Sequence, residues 1–256
     1  MQNLSVVLAT FNEEKNLPAC LDSVKNLADE IIIADGSSTD KTVAIAKKYG
    51  AKVIVVENLP NFHINKQKAI DLATKDWILQ LDADERVTPE LAQEIKEIKE
   101  IDNSINGYWV ARKNWFLGKF LMKGGQYPDY TLRIYRKGKG HLPQVHVHEQ
   151  AEVAGRVGYL RHALLHYPYK DFGSYLLKWD RYNNLLATQI KDNLRGKNFF
   201  IKIAYGVGYL IIKPTHWFLT TYVRHKGFVD LWSGFVFSFF SALRFPAAYL
   251  KYLKIL

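Results

Sequence analysis

Two aspartates, Asp82 and Asp84, stand two positions apart directly after the apolar-rich run at 77–81. Carboxylates with this spacing at a bend can both reach one hard divalent cation, which takes oxygen ligands and often bridges to phosphates. Mg²⁺ and Mn²⁺ both suit such a site, because both accept carboxylate oxygens. A cation held there would act as a Lewis acid and neutralise a diphosphate leaving group. The motif therefore predicts a metal-dependent diphosphate site.

Two more apolar runs end in polar or acidic clusters, at 10–13 and 35–38. The apolar runs alternate with amphipathic stretches, which indicates parallel strands joined by helices. In such sheets, ligands bind beyond the carboxyl ends of the strands. One acidic strand end is more often a helix N-cap, whereas three that open onto the same edge favour a ligand site.

The pattern changes beyond residue 107, where short apolar or aromatic runs are separated by Gly, Pro and Asp up to about residue 165. These runs predict a mixed, partly antiparallel extension of the same sheet. Residues 1–169 carry 22 Lys and Arg against 21 Asp and Glu, whereas 170–256 carry 13 against 4 and hold 20 of the 35 aromatic residues. We therefore predict an α/β catalytic domain over 1–169, with a Rossmann-like, mostly parallel central sheet flanked by helices, and a helical, basic and aromatic region over 170–256.

Several other classes of protein lose their main support. The sequence contains neither a GxGxxG motif after the first strand nor a GxxxxGK[ST] motif, which argues against dinucleotide-binding and P-loop NTPase folds. The lone cysteine, Cys20, excludes an internal disulfide and favours a reducing compartment. The first apolar run has no basic region before it and is typical of a strand, not of a signal peptide.

Three segments resemble the successive nucleotide-binding blocks of family 2 glycosyltransferases with the GT-A fold: SVVLATFNEEKNLPACLDSV, IIIADGSSTDKT and WILQLDADERVTPEL. Further on, YPDYTLRIYRKGKGHL, VHVHE and the KGF-D-WSG stretch at 226–234 are similar to the branch that includes lipopolysaccharide-core β-1,4-glucosyltransferases. The resemblance implies an inverting, metal-dependent transfer of a hexose. It implies UDP-glucose as the donor and a sugar of a lipid-linked or lipopolysaccharide-core precursor as the acceptor.

The same resemblance implies which residues bind the donor. The residues that it assigns to nucleotide-sugar binding are Thr10, Asn12, Glu13, Asp35, Gly36, Lys66, Asp82 and Ala83. Lys66 would lie near the phosphates, where the family usually has an Arg-Asn pair and this chain has Lys66-Gln67; a solvated helix face is the alternative. Asp84 would bind the metal together with Asp82, and His166 would complete the metal site. The alternative for His166 is a hydrogen-bonded histidine of the sheet.

Inverting transfer also requires a carboxylate that takes the proton of the acceptor hydroxyl. Glu149 is the predicted base, and a structural pair of His148 with Glu149 is the alternative. Asp129, in the segment Tyr127-Pro128-Asp129, is the second candidate. Arg133 and Arg136 either reach phosphate or are surface charges on a strand.

The C-terminal region predicts contact with a membrane surface. Residues 231–243 form an uncharged run of 13, shorter than the roughly 20 residues of a spanning helix, so we expect no transmembrane helix. Short apolar helices flanked by Lys, Arg, Trp and Tyr are typical of helices that lie in the interface and bind anionic lipid. The predicted location is cytoplasmic and peripheral, on the inner face of the cell membrane. A helical subdomain packed on the sheet or in a homo-oligomer is the alternative, and no nucleic acid partner is expected.

Three rival functions are compatible with parts of the sequence. Transfer to a polyprenyl phosphate would need no base, because that acceptor is already ionised. A sugar nucleotidyltransferase would release pyrophosphate from a nucleoside triphosphate instead of releasing a nucleoside diphosphate. A membrane-surface scaffold with a dead site would bind no nucleotide.

Overall fold

The computed structural model describes residues 3–101, 104–143 and 150–255. The chain forms two compact units, the first made of Met1–Lys113 and Asp129–His166 and the second of Asn114–Pro128 and Tyr167–Leu256. The second unit thus combines the predicted C-terminal helical region with a hairpin from the middle of the chain. Aromatic contacts explain why the hairpin belongs there, since Trp115 lies 5.8 Å from Tyr167 and Phe116 lies 4.9 Å from Tyr175 between ring centroids.

The strands, numbered along the chain, are β1 (Leu4–Thr10), β2 (Glu30–Asp35), β3 (Lys52–Val55), β4 (Trp77–Leu81), β5 (Glu85–Val87), β6 (Ile105–Phe116), β7 (Lys119–Leu121), β8 (Asp129–Arg136), β9 (Gly140–His141), β10 (Glu152–Val153), β11 (Arg156–Tyr159) and β12 (Leu164–His166). The main sheet has the order β3-β2-β1-β4-β8-β6-β12-β5, with β7 and β11 paired to β6. Strands β1 to β4 are parallel, whereas β8 is antiparallel to both β4 and β6. The predicted fold class, with its antiparallel extension, is confirmed.

The helices are α1 (Leu17–Val24), α2 (Thr42–Lys48), α3 (Phe62–Asp71), α4 (Pro89–Ile101), α5 (Phe172–Leu194), α6 (Phe199–Val207), α7 (Lys213–Phe218) and α8 (Leu231–Lys254). Strands β1, β2 and β4 are buried on both faces, as expected for central parallel strands that read as continuous apolar runs. One face packs against α1, α2 and α4, and the other packs against α3. These two cores hold the carboxyl ends of the strands in fixed positions.

The second unit is built on α5 and α8. Asp171 caps α5, and its Oδ1 accepts a hydrogen bond from the Ser174 N–H at 2.6 Å. Ile190 of α5 and Ala248 of α8 share one buried cluster, and the Trp179 indole donates to the carbonyl of Phe240 at 2.9 Å. The helical segment with its aromatic side chains therefore packs around its own core.

Helix α8 is longer than the uncharged run in it suggested. It continues through Arg244 and Pro246, and together with the preceding turn it gives Gly227–Lys254, 28 residues. Among the described residues this is the one helix that is long and apolar enough to cross a membrane by length and composition. A core helix of a soluble protein meets the same criteria, so the length and composition of α8 agree with a membrane span and equally with a core helix.

Adding a methyl group at two glycines of the second unit should change the stability of the protein in opposite directions. A Cβ built on Gly234, in the first turn of α8, would lie 1.9 Å from the carbonyl oxygen of Gly227, whereas a Cβ on Gly208 would meet nothing within 4 Å among the described residues. We expect Gly234→Ala to lower the free energy of unfolding by about 1–3 kcal/mol or more, because the added methyl group overpacks the site. Gly208→Ala should raise it by up to about 1 kcal/mol, because alanine favours the helix. Urea unfolding followed by circular dichroism measures both, and equal shifts would contradict this packing.

Candidate active site

The three predicted strand ends meet at one edge of the sheet. Thr10 pairs with Asp35 across β1 and β2, and Leu8 pairs with Leu81 across β1 and β4. The residues that follow these strands are therefore neighbours, as the sequence predicted. This edge carries a polar loop cluster on one side and the Asp82-Ala83-Asp84 bend on the other.

The Asp82–Asp84 bend is fixed by contacts to its own backbone. The Glu85 N–H donates to the Asp82 carbonyl at 3.0 Å, and the Asp82 N–H donates to Glu85 Oε2 at 3.0 Å. Arg86 donates from Nη1 to the Ala83 carbonyl at 2.6 Å. The Ala83 side chain is buried in the core, so its backbone is the part that faces the site. The bend is thus rigid before any ligand binds.

Asp84 and His166 come together although 82 positions separate them. Strand β12 is antiparallel to β5, and its register places His166 opposite Glu85, next to Asp84. His166 Nε2 lies 3.4 Å from Asp84 Oδ2, and 26% of the Asp84 side chain is exposed. One carboxylate oxygen and one imidazole nitrogen therefore point to the same accessible place.

The Asp82 carboxylate is occupied by two cations. Lys66 donates to Oδ1, and Arg133 Nη2 lies 2.6 Å from Oδ2. Burial by itself would raise the pKa of Asp82, but the charges of Arg133 and then Lys66 outweigh it and hold that pKa well below its usual value. Asp82 is therefore an ionised carboxylate, with 31% of its side chain exposed at the bend.

Arg133 reaches this position because strand β8 has a bulge. Tyr108 of β6 pairs with Ile134 and the next residue, Trp109, pairs with Leu132, so Arg133 is the extra residue of the ladder. Leu132 and Ile134 consequently face opposite cores although they are two positions apart. A bulge re-aims a side chain in this way. Arg133 is 7% exposed, so the interpretation of this residue as a surface charge is wrong.

Glu85 and Arg112 belong to the same network and were not singled out from the sequence. Glu85 is fully buried, and its Oε1 lies 2.5 Å from Arg133 Nη2 and 3.4 Å from Arg112 Nη1. Arg112 also donates to Asp129 Oδ2 from Nη2 at 2.7 Å and from Nε at 3.0 Å. The one available signal was a glutamate directly after the Asp-Ala-Asp bend. In this network, which does not include Asp84, three cations contact three carboxylates.

The polar loops at the ends of β1 and β2 are organised around Asp35. The Asp35 carboxylate accepts from Thr10 Oγ1 at 2.9 Å and from the N–H and Oγ of Ser38 at 2.8 and 2.7 Å. The Asn12 N–H donates to Ser38 Oγ at 2.8 Å. Asn12 and Ser37 have φ angles of 55° and 63°, in the left-handed region that tight functional loops often use. Asp35 therefore shapes the cleft and is itself 1% exposed.

The remaining predicted donor residues border this cleft. The Gly36 N–H donates to the Thr10 carbonyl at 2.8 Å, and a Cβ on Gly36 would lie 3.2 Å from Asn58 Oδ1. Glu13 accepts from the Asn16 side chain at 2.8 Å at the start of α1. Glu149, the predicted base, and His148 lie outside the described residues.

The donor atoms present fit a divalent cation that a substrate also ligates. No group of three or more His, Cys, Asp or Glu side chains able to hold a metal occurs among residues 3–101, 104–143 and 150–255. Mg²⁺ commonly uses one or two carboxylates plus substrate phosphates. Asp84, with His166, supplies such a partial set. Asp82, the other predicted ligand, has both oxygens engaged by cations.

The mostly parallel sheet flanked by helices, with its long C-terminal helices, is a fold of the GT-A type. The model of the family described as Glycosyl transferase family 2 matches residues 5–154, more than half of the chain. The chain therefore belongs to glycosyl transferase family 2, and the predicted enzyme class is confirmed.

The chain is also similar to several proteins of known name. The chain is 29% identical to the lipopolysaccharide core biosynthesis glycosyltransferase LpsC of Rhizobium meliloti (strain 1021) over 254 residues, 94% of this chain and 91% of LpsC. Among solved structures, TarS 1-349 of S. aureus gives a TM-score of 0.49 at 15% identity, covering 98% of this chain and 88% of that one. Glucosyl-3-phosphoglycerate synthase of Mycobacterium tuberculosis, solved with Mn²⁺, UDP and glucosyl-3-phosphoglycerate, gives 0.37 at 24% identity and covers 46% of this chain and 45% of that one.

Proposed function

We propose that this protein transfers a hexose, in the first instance glucose from UDP-glucose, to a sugar of a lipid-linked or lipopolysaccharide-core acceptor with inversion at the anomeric carbon. One observation carries the proposal: Asp84 with His166, the cations Lys66 and Arg133, and the polar Asp35 cleft lie at one sheet edge. These are the groups that a metal, a diphosphate and a nucleoside require. The similarity to LpsC over nearly the full length supports the acceptor class.

The metal in this proposal is Mg²⁺ or Mn²⁺ held by Asp84 and His166. When bound, it would offset the negative charge that develops on the departing diphosphate. The chain's own part is to hold that cation at a rigid bend and to present Lys66 and Arg133 beside it. The loops around Asp35 would hold the nucleoside.

The acceptor hydroxyl must lose a proton as it attacks the sugar, and we assign that proton to Glu149. The assignment rests on the sequence, because Glu149 lies outside the described residues. The second candidate, Asp129, has its Oδ2 engaged by two donors of Arg112, at 2.7 and 3.0 Å. A carboxylate held by a guanidinium is less suited to accept a proton, and this contact favours Glu149.

Calorimetric titration with UDP, GDP and CDP, with Mn²⁺ and then with chelator, tests the donor part of this function. We expect binding of UDP that depends on Mn²⁺, followed by release of UDP when UDP-glucose and an acceptor are supplied. Release of pyrophosphate from a nucleoside triphosphate would instead identify a nucleotidyltransferase. No binding of any nucleotide would overturn the proposal.

We further propose that the second unit binds the cytoplasmic face of the membrane through one helical face. Backbone angles at Gly208, Lys213 and Leu219 are helical, so α6, α7 and the π-helical turns after each form one rod from Phe199 to Arg224. The exposed apolar side chains of the rod are Phe199, Phe200, Ile201, Ile203, Val207, Leu210, Ile211, Ile212, Leu219 and Val223. Such a continuous exposed face is typical of a binding surface.

Charge complementarity favours lipid as the occupant of this face. Residues 193–229 include six Lys or Arg and no Asp or Glu. An amphipathic helix binds anionic bilayers because its apolar face is buried in the lipid and because its basic residues are attracted to the anionic head groups. The opposite side of the rod is buried through Gly206, Tyr209 and Thr221, and Tyr209 packs on Phe245 and Tyr249 of α8.

Vesicle binding should depend on the rod and not on apolar exposure in general. Phe200 is 80% exposed and Ile211 61%. We expect Phe200→Glu with Ile211→Glu to lower the partition coefficient for vesicles of phosphatidylcholine and phosphatidylglycerol at least about tenfold, since each buried side chain contributes about 1.5–3 kcal/mol. Val55→Glu, which changes a 63%-exposed side chain of the first unit, is the matched control. Co-sedimentation measures both, and equal binding of the two variants would contradict the location proposed for this surface.

A further inference from the structure

Lys66 and Arg133 are buried cations whose common partner is the Asp82 carboxylate. Lys66 is 1% exposed and Arg133 7%, whereas 31% of the Asp82 side chain is exposed. Charged groups are seldom buried to this degree without a partner of opposite charge. That partner is the same carboxylate that the motif offers to a metal.

A cavity of about 180 Å³ lies beside these side chains and is lined also by Gln80, Arg112 and Gln150. At this cavity Arg133 Nε and Gln80 Oε1 are buried and have no hydrogen-bond partner among the described residues. A buried guanidinium N–H without an acceptor is unfavourable, because it has lost its water and gained nothing in return. The cavity therefore offers an unused cationic donor to an anionic acceptor.

We propose that Lys66 and Arg133 act as an internal counter-ion of Asp82 that the donor diphosphate displaces. When the diphosphate enters, the two cations turn to its oxygens, and Asp82 becomes available to the metal. This inference rests on the proposed function, from which it takes the diphosphate and the metal. It adds a coupling between metal binding and diphosphate binding, which the positions of Lys66 and Arg133 in the sequence do not indicate.

The coupling follows from the charges. A divalent cation that approaches Asp82 alone meets two positive charges already bound there, and Coulomb repulsion at such distances is strong in a partly buried site. A diphosphate that arrives alone must draw both cations from their carboxylate. When both ligands bind, each removes the obstacle to the other. Metal and nucleotide should therefore increase each other's affinity by the same factor.

Removal of one cation should change the two affinities in opposite directions. Arg133→Met keeps an apolar side chain of similar length and leaves Asp82 with a single cation. Mn²⁺ alone should then bind more tightly, whereas UDP should bind more weakly because a phosphate partner is lost. Damage to the fold of the site would instead weaken both ligands. The opposite signs separate a counter-ion from a structural residue.

The experiment measures Mn²⁺ binding by electron paramagnetic resonance of the free ion, with and without UDP, and UDP binding by calorimetry. In the wild-type protein, saturating UDP should raise the Mn²⁺ affinity at least about tenfold. In Arg133→Met, the affinity for Mn²⁺ alone should rise about three- to tenfold, because one cation no longer competes for Asp82. The affinity for UDP in the presence of Mn²⁺ should fall about tenfold, because the diphosphate loses one buried cationic partner. Lys66→Met should behave in the same way, and it carries the test if Arg133→Met does not fold.

Two further variants show whether Asp82 mediates the effect. Lys25→Met removes an exposed cation of α1 that pairs with Asp22 at 2.9 Å, so its affinity for Mn²⁺ alone should stay within about twofold of the wild type. Combining Asp82→Ala with Arg133→Met should abolish the gain in Mn²⁺ affinity. A gain that persists without Asp82, or that Lys25→Met reproduces, would be a general field effect and would overturn the inference.

The outcomes distinguish this inference from the proposed function. If the wild-type protein binds neither UDP nor Mn²⁺, both fail together. If it binds UDP in a Mn²⁺-dependent manner but both affinities fall in Arg133→Met and in Lys66→Met, the function stands and the counter-ion exchange is wrong.

Discussion

Asp84→Ala should abolish Mn²⁺-dependent UDP binding and lower the rate of sugar transfer about a thousandfold, the several kcal/mol that a Lewis-acid contact supplies. The reason is geometric. Asp84 is the carboxylate of the bend that remains accessible beside the His166 imidazole, at 3.4 Å, while both oxygens of Asp82 are held by cations. Loss of Asp84 leaves the metal without its main anionic ligand. Calorimetry of UDP with Mn²⁺ and a UDP-release assay measure the two effects.

The matched control for this variant is Asp22→Ala. Asp22 is an exposed aspartate of α1 in an ion pair with Lys25 at 2.9 Å, so its loss should leave UDP binding within about twofold of the wild type. Asp84→Asn separates charge from shape, because it keeps the side-chain volume and removes the anion. Metal-dependent UDP binding of normal affinity in both Asp84 variants would show that the metal site lies elsewhere.

Glu149→Gln should lower the rate of transfer to a sugar acceptor by about a hundred- to ten-thousandfold, the range that general-base catalysis contributes. The amide is nearly isosteric with the carboxylate but cannot take the hydroxyl proton. UDP binding should be spared, because the metal and the cations that would hold the diphosphate are untouched. Single-turnover transfer and UDP calorimetry on the same preparation measure the two quantities.

Glu152→Gln is the control for Glu149, since it removes an exposed carboxylate three positions further along the chain whose Oε2 lies 3.6 Å from His141 Nε2. It should change transfer by less than about twofold. Full activity of Glu149→Gln on a sugar acceptor would remove Glu149 as the base. Activity retained on a polyprenyl phosphate alone would favour the rival reaction, in which the acceptor is already ionised.

Much of the first unit could be predicted from local patterns. Apolar runs of strand length that alternate with amphipathic stretches identify β1 to β4 and the helices between them, since the side-chain period differs between the two structures. The polar clusters after those runs identify Thr10, Asp35 and Asp82 as neighbours, because parallel strands bring their carboxyl ends to one edge. In these segments the local apolar pattern and the pairing of strands in the folded sheet favour the same structure.

The surroundings of Asp82 could not be predicted in the same way. Local patterns left open whether Arg133 reaches phosphate or is a surface charge, and the bulge in β8 decides between the two by turning the side chain inward. The position of His166 beside Asp84 depends on the pairing of β12 with β5, two strands that are about 80 residues apart in the chain. Pairing partners and register are long-range choices, and neither is encoded in the composition of one strand.

In the second unit, too, local sequence patterns predicted some features and long-range packing decided others. The composition of residues 170–256 identified a basic and aromatic helical region, and that region forms α5 to α8 in the structure. Which side of the rod is buried depends on its packing against α8 through Gly206 and Tyr209, where a side chain larger than glycine would meet the Tyr249 hydroxyl. The amino-acid sequence by itself therefore determined the fold class, the strand-end site and the character of the C-terminal region. The tertiary structure alone decided which cations pair with Asp82, how His166 is brought to Asp84 and which apolar face stays exposed, because each depends on contacts between segments far apart in the chain.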